Sequence, residues 1–292
     1  MEQRMGRVGQ IRVNLGKCFR AFFNEKGWKK IIFGAVISFI VAYVAGDRMF
    51  WYQGNTKSGA FAIICACIWI GIFNSIQSIC RERAIIKREH RTGLHISSYI
   101  IAHMIFEFVI CMIQSLITVI WIWLFHCGRI PNQGVFLFPT MEIFISCFLV
   151  TYAADILGMA VSAFVKSENS AMTVMPFILI VQLVFSGLFF NLNENIEWLS
   201  YLTLSRWGVS AIGTTADMNS LPSEKTLMEY EIRHKTESDI DLYDLTKRQE
   251  YLDDYDFMTE HLTACWLTML GFAVLYGGAA ISALEFVDRD KR

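Results

Sequence analysis

Residues 58–80 read SGAFAIICACIWIGIFNSIQSIC, 23 positions without one Asp, Glu, Lys or Arg. At a helical rise of ~1.5 Å per residue, such a run reaches across the ~30 Å hydrocarbon core of a bilayer. Two further runs share the property, Ser170–Asn193 with 24 residues and Leu262–Leu284 with 23. Ile31–Gly46 has 16 and is short for a span. Tyr99–Phe125 is interrupted only by Glu107, and Val135–Val165 only by Glu142 and Asp155. The pattern predicts an all-α membrane protein with six transmembrane helices. An even number places both chain ends on one side.

Composition agrees. Of the 292 residues 54% are hydrophobic and only 18% charged, where a soluble domain carries about a quarter charged. Disordered, collagen-like and disulfide-rich secreted classes are excluded. The formal net charge of -1 leaves no basic excess for a nucleic-acid partner. Orientation follows from Lys and Arg. The N-terminus, the 81–98 loop, the 166–169 loop and the C-terminal tail carry 17 of them, against 3 in the short loops opposite. The long 191–261 segment is discounted, because long loops cross regardless of charge. Both termini are therefore expected in the cytoplasm of a multi-pass plasma-membrane protein. No cleavable signal peptide is expected, since no small-residue cleavage site follows the first apolar run. None of the eight cysteines lies in 191–261, and no Asn-x-Ser/Thr acceptor occurs. Both facts suit a bacterial membrane. Cys65-x-Cys67 falls mid-span without a nearby His and reads as packing rather than a metal site.

Residues 1–30 form a first unit. Ile11, Leu15, Cys18, Phe19 and Phe22 recur at helical spacing with Arg12, Lys17 and Arg20 on other faces, an amphipathic helix suited to the inner membrane surface. It also serves as a positive-inside anchor. Residues 31–292 form the transmembrane domain. Between its second and third spans, Arg81, Glu82, Arg83, Lys87, Arg88, Glu89 and Arg91 precede Gly93. A charged cytoplasmic helix ending on glycine is a docking element or a solvated loop that only sets topology. The external segment 191–261 has two parts. Residues 191–216 are semi-apolar with Trp198, Tyr201 and Trp207, fitting a re-entrant or interfacial hairpin. Residues 217–261 hold 13 acidic and 5 basic side chains. They read as an external helical cap, which either concentrates cationic solutes or is only a solvated face.

Enzyme signatures are missing. No G-x-x-x-x-G-K-[ST], H-E-x-x-H or G-x-S-x-G run occurs. The six histidines lie in loops or near span ends. Glu107, Glu142 and Asp155 are the intramembrane carboxylates, functional candidates because their burial costs several kcal/mol. Glu142 is near enough to a span end to snorkel. Glu107 has Gln114 or another helix for a partner. No intramembrane Lys or Arg completes a proton relay.

Several separated stretches, taken in order, carry a family likeness. An amphipathic helix comes first, then Arg81-Glu82 with Glu89, then Gly93-Leu94-His95-Ile96-Ser97-Ser98-Tyr99 entering the third span. Glu107 lies within that span, followed by Phe108-Val109-Ile110 where a proline is usual. Gly158-Met159-Ala160 and Ala163 form a small-residue stretch in the fourth span. Phe185-Ser186-Gly187-Leu188 closes the fifth span, followed by Trp198-Leu199-Ser200-Tyr201 and Arg206-Trp207-Gly208. Residues 10–216 thus resemble the transmembrane half of G-subfamily ABC exporters and their bacterial relatives, the type V fold.

The resemblance implies a permease subunit that pairs with a second, identical or different, to form one export path. ATP and Mg would be bound by a partner ATPase subunit and not by this chain, which is not an enzyme by itself. Residues 82–92 would be the coupling helix resting on that ATPase, with Arg81, Glu82, Lys87, Arg88, Glu89 and Arg91 at the joint. Leu188 and Phe189 would form an apolar valve. Cys67, Ile70, Asn74, Pro176, Ile180 and Leu183 would line the inner cavity, where ordinary helix packing is the alternative. The family's external loop usually carries cysteines; this one has none. The expectation is an ATP-driven exporter of a hydrophobic or amphipathic substrate (lipid, drug or peptide) working by alternating access. An ATP-independent carrier, or an intramembrane enzyme using Glu107, Glu142 or Asp155, is the alternative. The starting Met1 and basic N-terminus suit a free-standing permease, with a fragment of a longer chain as the alternative.

Overall fold

The computed structural model describes residues 6–46, 49–126, 128, 130–131, 133–186, 197–222 and 252–289. Among these the regular structure is entirely helical: α1 (Arg7–Asn24), α2 (Lys29–Val44), α3 (Gln53–Ser75), α4 (Ser78–Arg91), α5 (Ile96–His126), α6 (Pro139–Phe164), α7 (Glu168–Val184), α8 (Leu204–Thr215) and α9 (Thr259–Arg289), with short 3-10 turns. Four stretches are long and apolar enough to cross a membrane, namely the one containing α3, then α5, α6 and α9. A fifth is added if α1 and α2 count as one broken span, bent by 71°. Alone, α2 with 16 residues and α7 with 17 fall short of ~30 Å at ~1.5 Å per residue.

Helix α6 is the centre. It packs against α3 and α9 most extensively, and also against α5 and α8. Small residues permit the close approach to α3. A Cβ on Gly71 would lie 2.9 Å from the Asp155 amide nitrogen, and one on Gly158 would lie 2.9 Å from the Ile72 carbonyl oxygen. Without a hydrophobic drive between helices in lipid, such contacts supply the packing. The small-residue stretch at Gly158, Ala160 and Ala163 therefore serves the helix core: all three are buried. Helix α2 follows the same rule. Gly34, Ser38 and Ala42, spaced by four, are buried, while Phe33, Val36, Ile40 and Tyr43 are exposed, as a lipid-facing surface requires.

Three boundaries differ from the charge-free runs. The run 58–80 is predicted as one span, but α3 ends at Ser75 and Cys80 already belongs to α4. The new helix start is held by a tertiary contact: Ser162 Oγ accepts from the backbone N–H of Ile79 at 3.1 Å and of Cys80 at 3.0 Å. Those are orphan donors of a helix N-terminus. The run 135–165 becomes helical only at Pro139. The residues before it fold over Glu142, which accepts from the backbone N–H of Val135 at 3.2 Å and of Phe136 and Leu137 at 2.9 Å. Glu142 is fully buried, so it caps a turn instead of snorkelling. The run 170–193 yields a helix over Glu168–Val184 with Pro176 inside it. The N-terminal amphipathic helix exists as α1, whose Phe19 and Phe22 rings meet Phe106 of α5 edge-on at 5.1 and 5.7 Å.

Candidate functional site

Helix α4 is amphipathic. Ile79, Cys80 and Ile86 are buried, whereas Arg81, Ala84, Ile85, Arg88 and Arg91 are exposed. Basic residues in its last turn, Arg88, His90 and Arg91, complement the negative end of the helix dipole. Gly93, with φ +111, turns the chain back, and the Leu94 amide bonds the Glu89 carbonyl at 3.0 Å. Gln10 of α1 grips this turn, donating to the Gly93 carbonyl at 3.1 Å and accepting from the His95 amide at 2.9 Å.

The inward face of α4 is tied to three elements. Glu82 accepts from Lys17 of α1 at 3.3 Å and from the Tyr99 hydroxyl at 3.1 Å. Arg81 lies 3.6 Å from Glu25 just past α1. Arg83 donates to the Ala163 carbonyl at 2.8 Å and to that of Val165, closing the C-terminal end of α6. Sequence reading did not single out Arg83. Nothing local separates it from Arg81, because only the rotation of α4 aims it at α6. Of the six coupling candidates, Glu82 points into the molecule, Lys87 and Glu89 are half-buried, and Arg81, Arg88 and Arg91 are exposed. A rigid helix held on one face and bare on the other can transmit displacement between a docked partner and α1, α5 and α6.

A polar seam runs inside the helices above this joint. Asn74 and Gln114 form a reciprocal amide pair at 2.7 and 3.1 Å. Lys30, at the start of α2, donates to the Asn74 carbonyl and lies 3.5 Å from Glu107. Lys30 thus supplies the cation that the span sequences lack, and Glu107 pairs with it and not with Gln114. Asp155 sits opposite Cys111 at 3.8 Å, and its backbone carbonyl accepts from Ser75. Glu107 lies in the first half of α5 and Asp155 in the second half of α6. Glu142 is thirteen residues from Asp155 on α6, about 20 Å away at ~1.5 Å per residue. The three carboxylates therefore do not form one site.

The expected cavity residues divide. Cys67 and Ile70 are buried in the helix core, and Asn74 is taken by Gln114. Pro176 and Ile180 are exposed on α7, and Leu183 is half-buried. Leu188 and Phe189 lie outside the described residues. Across the stretch that holds them, Gln182 Oε1 accepts from the backbone N–H of Leu204 at 2.8 Å and of Ser205 at 3.3 Å, fastening the start of α8 to the end of α7. Arg206 reaches Ser200 and lies 2.7 Å from Asp254, with its guanidinium 4.0 Å from the centre of the Tyr201 ring. Asn219 bridges the two ends of the acidic segment, bonding the Leu252 carbonyl at 3.1 Å and the Leu252 amide at 3.2 Å. The expected helical cap itself falls largely on 223–251, outside the described residues. Among the described residues no group of three or more His, Cys, Asp or Glu could hold a metal.

The family model of the ABC-2 type transporter membrane region matches residues 9–214, from α1 to the end of α8. The chain belongs to the ABC-2 type transporter family. An ABC transporter ATP-binding/permease protein of Mycobacterium tuberculosis is 27% identical over 217 residues, covering 69% of this chain and 25% of that protein. The chain thus spans about a quarter of the length of that relative. This ABC-2 chain is a transport permease domain with several transmembrane helices. The matched region includes α4, the polar seam and Arg206, and ends before the acidic segment 217–261.

Proposed function

We propose that the chain is the permease of an ATP-driven ABC exporter that moves a hydrophobic or amphipathic substrate outward by alternating access. Two permeases form the path, as a homodimer or heterodimer, and ATP-binding domains carrying ATP and Mg dock on each α4. The chain crosses the plasma membrane of a bacterial cell six times with both ends inside. In that topology α2 and α7 are spans, and their short lengths are accommodated by local thinning of the bilayer and by flanking residues. Residues 197–215 are then the re-entrant segment, and Leu188 and Phe189 the apolar valve. The exposed apolar face of α7, with Pro176 and Ile180, turns toward the second permease and the path between the two copies.

The observation that carries this reading is α4: a charged helix with its inner face locked to α1, α5 and α6 and its Ala84, Arg88 and Arg91 face bare. The ABC-2 membership adds that ATP supplies the motion. The test is affinity purification of the chain from its native membrane with mass spectrometry of what accompanies it. A stoichiometric ATP-binding protein is expected, and it should be lost when Arg88 and Arg91 are both changed to Glu. These two side chains are exposed, so the variant should keep the wild-type elution profile. An unaltered ATPase complement in that variant would overturn α4 as the joint. Absence of any ATPase with the wild-type chain would overturn ATP-driven export.

A further inference from the structure

Between α1, α4 and the first turns of α5 lies a cleft of about 460 Å³, within the size range of small-molecule sites, about 300–1,000 Å³. Part of its wall is apolar, from Phe22, Ile85 and Phe106. The wall also carries neutral polar groups, among them Asn14, Ser78, Tyr99 and His103, and six charged side chains, each half of an ion pair: Lys17 with Glu82 at 3.3 Å, Arg81 with Glu25 at 3.6 Å, and Lys30 with Glu107 at 3.5 Å. The formal charges cancel. Such a wall selects neither a simple anion nor a simple cation. It matches a group that carries both signs a few ångströms apart.

The floor of the cleft narrows the choice. Glu107 is 2% exposed, and its Oε2 has no hydrogen-bond partner among the described residues. Lys30 is already engaged by the other carboxylate oxygen and by the Asn74 carbonyl. A buried carboxylate oxygen left without a donor is costly. A ligand with an N–H donor would satisfy it, and a quaternary ammonium, which has no N–H, would not. Depth narrows it further. The cleft reaches Gly27, at the 71° bend where α1 leaves α2, and the neighbouring Trp28 is exposed. An amphipathic helix and a Trp at such a bend belong at headgroup level.

We propose that this cleft binds the zwitterionic head of an amphiphile that carries a primary ammonium beside a phosphate. The ammonium donates to the free oxygen of Glu107. The phosphate lies toward Lys17 and Arg81, whose side chains are 40% and 66% exposed. The apolar wall takes the first methylenes of the tail. The same head chemistry is offered by an aminophospholipid of the cytoplasmic leaflet and by free phosphoethanolamine. The inference requires only that α1 lies at the membrane surface, and it stands apart from the ATPase reading.

The experiment uses the purified full chain in neutral detergent with no nucleotide or ATPase added. Phosphatidylethanolamine, phosphatidylcholine or phosphatidylglycerol of identical chains is added, and retained lipid is counted by native mass spectrometry. Phosphatidylethanolamine should be retained about tenfold better than phosphatidylcholine, the equivalent of one charge-assisted hydrogen bond. Glu107→Gln should bring the two to parity. Because that variant touches a buried pair, the exposed rim variant Arg81→Ala is measured beside it and should weaken phosphatidylethanolamine retention severalfold. Displacement by equimolar free phosphoethanolamine would assign the head alone as the ligand, and persistence of the lipid would assign the bilayer source. Equal retention of the three lipids by the wild-type chain, or unchanged retention in both variants, would overturn the proposal.

Discussion

Replacing Glu142 separates a structural carboxylate from a functional one. Its side chain is fully buried and accepts three backbone N–H groups, from Val135, Phe136 and Leu137, at 2.9 to 3.2 Å. A hydrogen bond to a charged acceptor contributes about 1.5–3 kcal/mol. The three share one carboxylate, and the side chains of Phe136 and Leu137 are exposed, so water can reach part of the turn once the acceptor is gone. The donor groups and the interaction of Glu142 with the α6 N-terminus together predict a loss of about 3 kcal/mol for Glu142→Ala. Glu142→Gln keeps an acceptor oxygen for the turn and should lose about half as much. The measurement is SDS-titrated unfolding of the purified chain, followed by tryptophan fluorescence. Transport measured in the same variants, scaled to folded protein, should be unchanged. A Glu142→Ala variant as stable as wild type would refute the capping role. A fully folded Glu142→Gln variant without transport would return Glu142 to the list of functional carboxylates.

Other consequences follow from the same contacts. Gly71→Val places a branched side chain where even a Cβ would lie 2.9 Å from the Asp155 amide nitrogen; folded yield should fall sharply, as overpacking of about 1–3 kcal/mol or more predicts, and normal yield would refute the tight α3–α6 crossing. The Arg206–Asp254 pair, whose side chains are 12% and 54% exposed, should show a coupling of about 1 kcal/mol in a double-mutant cycle of Arg206→Ala and Asp254→Ala, and additivity would deny the contact. Burial, followed by Glu82 and Glu107, pushes the Cys18 thiol up to about 12. The thiolate is the nucleophile, so Cys18 should alkylate slowly at pH 8 and faster only as the pH rises toward that value. Fast maleimide labelling at pH 8, read by peptide mass spectrometry, would contradict its buried place between α1 and α5.

Much of the candidate joint was legible from residue order alone. The cluster from Arg81 to Arg91 and the closing Gly93 announced a charged helix, and α4 is that helix. Which of its residues face outward was not legible. Glu82 stood beside Arg81 in the same role, yet it turns to Lys17 and Tyr99, 65 and 17 positions away in sequence. Arg83 was legible only as one charge of the cluster, because its partners are carbonyls at the end of α6, and a carbonyl carries no signature in the side-chain sequence. Glu107 and Asp155 were visible as carboxylates in apolar runs, but the ammonium of Lys30 was not, since it precedes its own helix interior and reaches inward only after α2 docks on α5.

The amino-acid order by itself determined that the chain is helical and membrane-embedded, and roughly where each apolar helix lies. A charge in hydrocarbon costs several kcal/mol, so charge-free runs must be where the lipid is. The tertiary structure alone decided the partners of the buried polar groups: Ser162 under the α4 N-terminus, Gln182 under α8, and Gln114 against Asn74. Each depends on the rotation and depth of two helices at once. Successive side chains step by about 100° around a helix, so a small change in either setting exchanges one partner for another. That setting comes from interlocking small residues such as Gly71 and Gly158, whose contacts exist only once the helices have met.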